Sequence, residues 1–231
     1  MLMISLRISN RLSRRLPTNT MIKHIISGDN IFGGDFLSFK IISIIGEIEG
    51  HDGAGSSEKT TKYDELLPML AEIENDEDTE GILFLINTHG GDVSAGLALG
   101  EMIASLSKPT VSLVIGESHS IGVPIAVATD YSFIVPSATV VIHPVRMSGT
   151  ILGTRQTYRQ FQSIQDRIVN FISAHCNCKP DTIEKMMMET SMLSKDLGTI
   201  LVGGEAVLCG IIDEIGGIDK AFFKLKSICQ R

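Results

Sequence analysis

Three short segments carry side chains that could perform covalent chemistry together. The first, Asn87-Thr88-His89-Gly90-Gly91-Asp92, follows the apolar run of residues 81–87. Consecutive glycines there permit positive φ and leave backbone N–H groups facing a cleft at a helix start, which suits an anion or a developing oxyanion. A plain tight turn is the alternative. The second segment, Gly116-Glu117-Ser118-His119-Ser120-Ile121-Gly122, lies between the apolar run of residues 111–115 and the helical run of residues 123–128. A serine at a strand-to-helix turn is either a nucleophile held in the cleft or a helix cap. The third, Val141-Ile142-His143-Pro144, closes a β-prone run. His143 there is a general base for Ser120 or a structural polar group, whereas His119, adjacent to the serine, is expected to point elsewhere.

Other chemistries have less support. Gly90-Gly91 fits neither G-x-G-x-x-G nor a P-loop, and Ser118 and Ser120 do not complete G-x-S-x-G. His175-Cys176-Asn177-Cys178 is one tight cluster without a distant second pair, so it lacks zinc spacing. No cofactor and no metal is therefore expected.

These segments need strands and helices to hold them. Residues 39–48 read as a strand and residues 50–64 as a polar loop. A helical pattern follows from Leu66, and six acids between Glu72 and Glu80 read as a solvated helix end. Residues 81–87 and 111–115 are continuous apolar runs of strand length, as in parallel sheets covered on both faces. Helical spacing recurs over residues 93–106, 154–174, 181–189 and 218–228, with short β segments at 131–136 and 139–143. Such β-then-α alternation predicts one layered α/β domain with a largely parallel sheet and ligand chemistry at the carboxyl ends of its strands.

The 231 residues carry a formal charge of −7, but the first 24 contain five basic residues and no acid, leaving −12 on the rest. We expect a basic leader over residues 1–24, whose composition resembles a transit peptide but equally suits a disordered leader or coding sequence upstream of a true start at Met21, and a single domain over residues 25–231. The acidic balance argues against a nucleic-acid binder, and no apolar stretch approaches the roughly 20 residues of a transmembrane helix. Four cysteines without a disulfide pattern point to a reducing, cytoplasmic setting.

Taken in order, Asn87-Thr88-His89-Gly90-Gly91-Asp92-Val93, Ser120-Ile121-Gly122 and Val141-Ile142-His143-Pro144 resemble the ClpP family of serine peptidases, closest to its translocation-enhancing branch. The runs GGDVSAGLALGEMIASLSKPTVSLVIG, HSIGVPIAVATDYSFI, IHPVRMSG and KDLGTILVGGEAV carry the likeness from about Ile42 to Ile228. The resemblance implies a ClpP/crotonase-like fold, with residues 154–174 as a protruding handle helix. It implies Ser120 as nucleophile, His143 as base, and the N–H groups of Gly91 and Ile121 as the oxyanion hole. Asp196 is the implied acid and Glu189 the runner-up, because the spacing before Gly204-Glu205-Ala206 departs from the family's by about two residues. It further implies unfolded polypeptide or short peptide substrates, a homo-oligomeric ring or double ring, an ATP-dependent unfoldase or export machinery as partner, and a place at the inner face of the membrane. A catalytically weak scaffold that binds exported precursors is the alternative, and a crotonase-like acyl-CoA enzyme a more distant one.

Overall fold

A computed structural model describes residues 38–50, 59–147, 149–191 and 197–230. The basic leader over residues 1–24 and the candidate acid Asp196 lie outside the described residues. The central sheet is built from β1 (Phe39–Ile45), β4 (Gly81–Thr88), β5 (Thr110–His119), β6 (Tyr131–Ile134), β7 (Thr139–Ile142), β8 (Thr199–Val202) and β9 (Glu214–Ile215). All its pairings are parallel except β7 with β8. A small parallel ribbon, β2 (Glu47–Glu49) with β3 (Thr60–Lys62), lies beside it. Among the described residues there are seven helices, α1 (Tyr63–Glu74), α2 (Val93–Ala104), α3 (Gly122–Val127), α4 (Arg155–Ala174), α5 (Pro180–Met187), α6 (Gly204–Leu208) and α7 (Ile218–Cys229). This is the mixed α/β, largely parallel architecture expected from the alternation of apolar runs.

The continuous apolar runs are explained by two-sided burial. Along β4, Ile82, Phe84 and Ile86 join the main core with α1 to α5, while Leu83 turns to the opposite face, where Ala221 and Leu225 of α7 cover it. β5 follows the same alternation: Val114 faces the main core and Val111 and Leu113 face α7. A strand covered on both sides has no polar face, so periodicity vanishes and hydrophobicity persists.

Several boundaries differ from expectation. The strand expected over residues 39–48 breaks at Gly46, whose φ of 86° diverts the chain into β2. The loop expected over residues 50–64 contains β3 and the first turn of α1, because Thr60-Thr61-Lys62 pairs with Glu47-Ile48-Glu49 in spite of its polar composition. Most consequentially for the site, β5 continues through Gly116 to His119 instead of ending at Ile115. Its first half pairs with β6 and its last three residues, Glu117 to His119, pair with Thr139 to Val141 of β7.

Two side chains tie these strands to their neighbours. The Asp213 carboxylate accepts hydrogen bonds from the Ser132 N–H at 2.8 Å and the Ser132 hydroxyl at 2.7 Å, tying β6 to the turn before β9. Ser132 is buried, so Asp213→Ala orphans its amide and should cost about 1–3 kcal/mol in urea unfolding, with Asp213→Asn losing less because an acceptor remains.

His119 ties β5 to β7 through a 2.7 Å hydrogen bond between its Nε2 and the Thr139 hydroxyl. Burial, more than the nearby Glu117 carboxylate can offset, holds its imidazole below the ordinary value of 6.5. His89 and His143 push in the same direction. Below that ordinary value the unfolded chain takes up a proton that the folded chain refuses, so stability falls as pH drops from about 6.5 toward the lowered value. Urea midpoints at pH 7.5 and 5.5 should therefore differ in the wild type, and differ less in His119→Gln.

Candidate active site

The carboxyl ends of β4, β5 and β7 deliver all three chemistry-bearing segments to one place. Ser120 follows β5 directly, and its φ of 56° makes it the one non-glycine with positive φ among the described residues. A serine in that region is strained by about 1–3 kcal/mol and persists only where the surroundings dictate it. They do so through the backbone: the Ser120 N–H donates to the Val141 carbonyl at 2.8 Å, extending the β5–β7 ladder by one residue. The hydroxyl is not a helix cap. Residue Ile121 occupies the position before α3, and no side chain caps that helix.

The Gly90-Gly91 turn is shaped on its other side. Gly90 and Gly91 have φ of 102° and 150°, and the chain bridges to β2 through Ile48 N–H to Gly90 carbonyl (2.8 Å) and Asp92 N–H to Ile48 carbonyl (2.9 Å). That pairing leaves the Gly91 N–H without an acceptor among the described residues, and the Ile121 N–H likewise. A Cβ at Gly91 would lie 2.2 Å from the Ile48 carbonyl oxygen, so no other residue fits the turn as built. Thr88 fixes the entry, its hydroxyl donating to the Gly46 carbonyl at 2.6 Å and accepting from the Gly90 N–H at 3.1 Å. Asp92 then caps α2 by accepting from the Ala95 N–H at 2.8 Å, and its carboxylate is thereby turned to the helix.

Ser120, His143, Gly91 and Ile121 line a single cavity of about 230 Å³. Its floor is apolar, with Ile168 and Ile172 from α4 and Met187 from α5, and its rim carries His89 and Arg146. The His143 Nδ1 lies 2.7 Å from the Pro144 carbonyl oxygen. A carbonyl can only accept, so in the neutral ring Nδ1 carries the hydrogen and Nε2 is the basic nitrogen. That backbone partner could not be read from residue types.

His119 points to Thr139, away from a partnership with Ser120, as its neighbouring position suggested. The runner-up acid Glu189 has other duties. Its Oε1 accepts from the Thr190 N–H, the Ser191 N–H and the Ser191 hydroxyl, and the Ser191 hydroxyl above all holds its carboxyl below the usual range. Glu189 lines a different cavity, with Lys185 and Thr199.

A donor pair, a serine forced toward a cleft and an imidazole with a basic nitrogen form the kind of arrangement that supports acyl transfer. The model of the Clp protease family matches residues 53–219. The chain is 46% identical over 190 residues, 82% of its own length and 74% of the relative's, to the translocation-enhancing protein TepA of Halalkalibacterium halodurans. It is 29% identical over 157 residues to an ATP-dependent Clp protease proteolytic subunit of Streptococcus sanguinis, covering 67% of this chain and 69% of that one. The corresponding subunit 1 of Chlamydia pneumoniae is 30% identical over 129 residues, 52% of this chain and 68% of the relative. The matched span takes in the Gly-Gly turn, the serine turn and the His-Pro segment alike, and the chain belongs to the Clp protease family.

Proposed function

We propose that the chain is a serine peptidase that hydrolyses peptide bonds in unfolded polypeptides or short peptides, with Ser120 as nucleophile and His143 as base. The observation that carries this reading is Ser120 itself, a non-glycine at φ 56° lining one cavity with His143, Gly91 and Ile121. His143 Nε2 takes the Ser120 proton as Oγ attacks the scissile carbonyl carbon, and the N–H groups of Gly91 and Ile121 stabilise the oxyanion. Collapse breaks the C–N bond, His143 returns the proton to the leaving amine, and water releases the acyl group by the same steps in reverse order.

Asp196 is the proposed acid that orients His143. A second reading, a catalytically weak scaffold that binds exported precursors, draws support from the Pro144 carbonyl at His143 Nδ1. A neutral carbonyl can fix the tautomer but stabilises an imidazolium less than a carboxylate does.

The name of the TepA relative supports a role in preprotein export, and the names of the Clp subunits support an ATP-dependent partner. We place the protein in the cytoplasm at the inner membrane face, with residues 25–231 as the peptidase unit and residues 1–24 as a basic leader. Among the described residues no helix is long and apolar enough to cross a membrane. Self-assembly into a ring or double ring would cover the outer part of α4, where Tyr158 is 70% exposed.

Ser120→Ala should abolish covalent labelling by a fluorophosphonate probe, and equal labelling of the two proteins would refute the peptidase. Asp196→Asn separates the two readings. Loss of peptide cleavage on the order of 10⁴-fold is expected for a triad acid, whereas an unchanged rate assigns the orienting role to the Pro144 carbonyl.

A further inference from the structure

Four histidines stand among the described residues, and three of them have a ring nitrogen held by a protein oxygen. His119 Nε2 lies 2.7 Å from the Thr139 hydroxyl, His143 Nδ1 2.7 Å from the Pro144 carbonyl, and His175 Nδ1 2.8 Å from the Phe171 carbonyl. His89 is different. Its side chain makes no hydrogen bond, ion pair or ring contact with the described residues, and the residue is exposed. A histidine kept as a polar strut of the fold would show a partner of the kind the other three show. Instead, His89 lines the cavity that also holds Ser120, His143 and Gly91.

The backbone at this position is fixed even though the ring is not. On one side of His89 the Thr88 hydroxyl donates to the Gly46 carbonyl at 2.6 Å, and on the other Gly90 is held through its N–H to Thr88 at 3.1 Å and its carbonyl to the Ile48 N–H at 2.8 Å. The preceding Asn87 turns away, its Oδ1 accepting from the Glu117 N–H at 3.0 Å. His89 therefore projects from an anchored turn, two residues before the Gly91 N–H. That turn abuts the nucleophile: a Cβ added at Gly90 would lie 3.4 Å from Ser120 Oγ. An imidazole carries at least one N–H in either protonation state, and a side-chain donor placed where negative charge develops stabilises the transition state.

We infer that the His89 imidazole is a third oxyanion donor, adding a side-chain N–H to the backbone N–H groups of Gly91 and Ile121 as the tetrahedral intermediate forms at Ser120. The inference rests on the peptidase reading proposed above, and it makes His89 a further catalytic residue. Water competes with an exposed donor and screens it, so its loss should cost less than the roughly 10²-fold to 10³-fold of an enclosed one.

The test is the rate at which a fluorophosphonate labels the full chain. Ser120 Oγ displaces fluoride from phosphorus, and the phosphoryl oxygen takes the place of the substrate oxyanion. His89→Ala should slow labelling by about 10-fold to 100-fold, and His89→Phe, which keeps a ring without a donor, by as much. His89→Asn keeps an N–H donor and should lose less. Fluorescence polarisation with a labelled, amidated peptide reads ground-state binding separately, and Ser120→Ala should bind it equally with and without His89→Ala. Urea midpoints of the three His89 variants should match the wild type, because the side chain supports no other group. Labelling of His89→Ala or His89→Phe at the wild-type rate overturns the inference. So does a loss of peptide affinity that equals the loss of labelling rate, which assigns His89 to ground-state binding, or a lowered urea midpoint in all three variants, which assigns it to the fold. The two ideas fail separately: labelling that survives Ser120→Ala, or is absent from the wild type, refutes the peptidase and the inference with it, whereas labelling that needs Ser120 but ignores His89 refutes the role of His89 alone.

Discussion

The site depends on a change of partner within one strand. β5 pairs with β6 through Val111 to Val114 and with β7 through Glu117 to His119. A strand of ten residues is long enough to serve both in turn, and the second pairing carries it past the end of the first. On the opposite edge, the β4 register shifts between Ile86 and Thr88, where β4 resumes pairing at Ser118. Parallel strands all end at one edge of a sheet. The extension of β5 brings its terminus level with the Gly-Gly turn after β4 and with the His-Pro stretch after β7. Without those last three pairs, Ser120 would have no ladder to hold it.

The strained serine and the glycine turn are parts of one arrangement. With Ser120 at φ 56°, its Cβ projects toward the β4 turn, and a Cβ added at Gly90 would lie 2.9 Å from it and 2.9 Å from the His119 carbonyl oxygen. The positive φ at 120 therefore demands the absence of a side chain at 90. The rest of the turn is secured by hydrogen bonds that make no use of the cleft: Ile48 N–H to Gly90, Asp92 N–H to Ile48, and Thr88 to Gly46. Strain at a single residue is thus balanced by a ladder bond at its own amide and by a stitched turn opposite it, and the N–H groups of Gly91 and Ile121 are left without an acceptor among the described residues.

Long uniform signals were legible in the residues. Burial on both faces makes β4 and the first half of β5 unmistakable, and the helical periods of α2, α4 and α7 fall within a few residues of expectation. Gly116 and Glu117 interrupt the apolar pattern of β5, so its functional extension was invisible to hydrophobicity, which registers burial and not pairing. β3 failed for the same reason, since Thr60-Thr61-Lys62 is held by its backbone to β2. β8 is only four residues long and antiparallel, which the β-then-α rhythm does not announce. In the site, residue type and order mark the Gly90-Gly91 turn, Ser120 and His143 as candidates, and the family resemblance alone adds Ile121 and the roles of all four. The Pro144 carbonyl could not, because every residue has a carbonyl and only geometry selects one.

The same helix connects the cavity to the outer surface. α4 has 20 residues, about 30 Å of length, yet its buried positions, Ile168, Val169, Phe171 and Ile172, all fall in its last two turns. Its first half keeps Tyr158 exposed and relies on local contacts: Thr154 caps the Thr157 N–H at 3.2 Å, and Gln162 donates to Asp166 at 2.8 Å. Apart from Ile164, which packs against the main core, such contacts leave this half marginal in water. The buried end anchors it, and that end is also the floor of the cavity through Ile168 and Ile172. Any surface that ordered the exposed half would therefore act through one continuous hydrogen-bonded rod on the residues beneath Ser120. Packed interiors transmit such displacements because they hold few voids to absorb them.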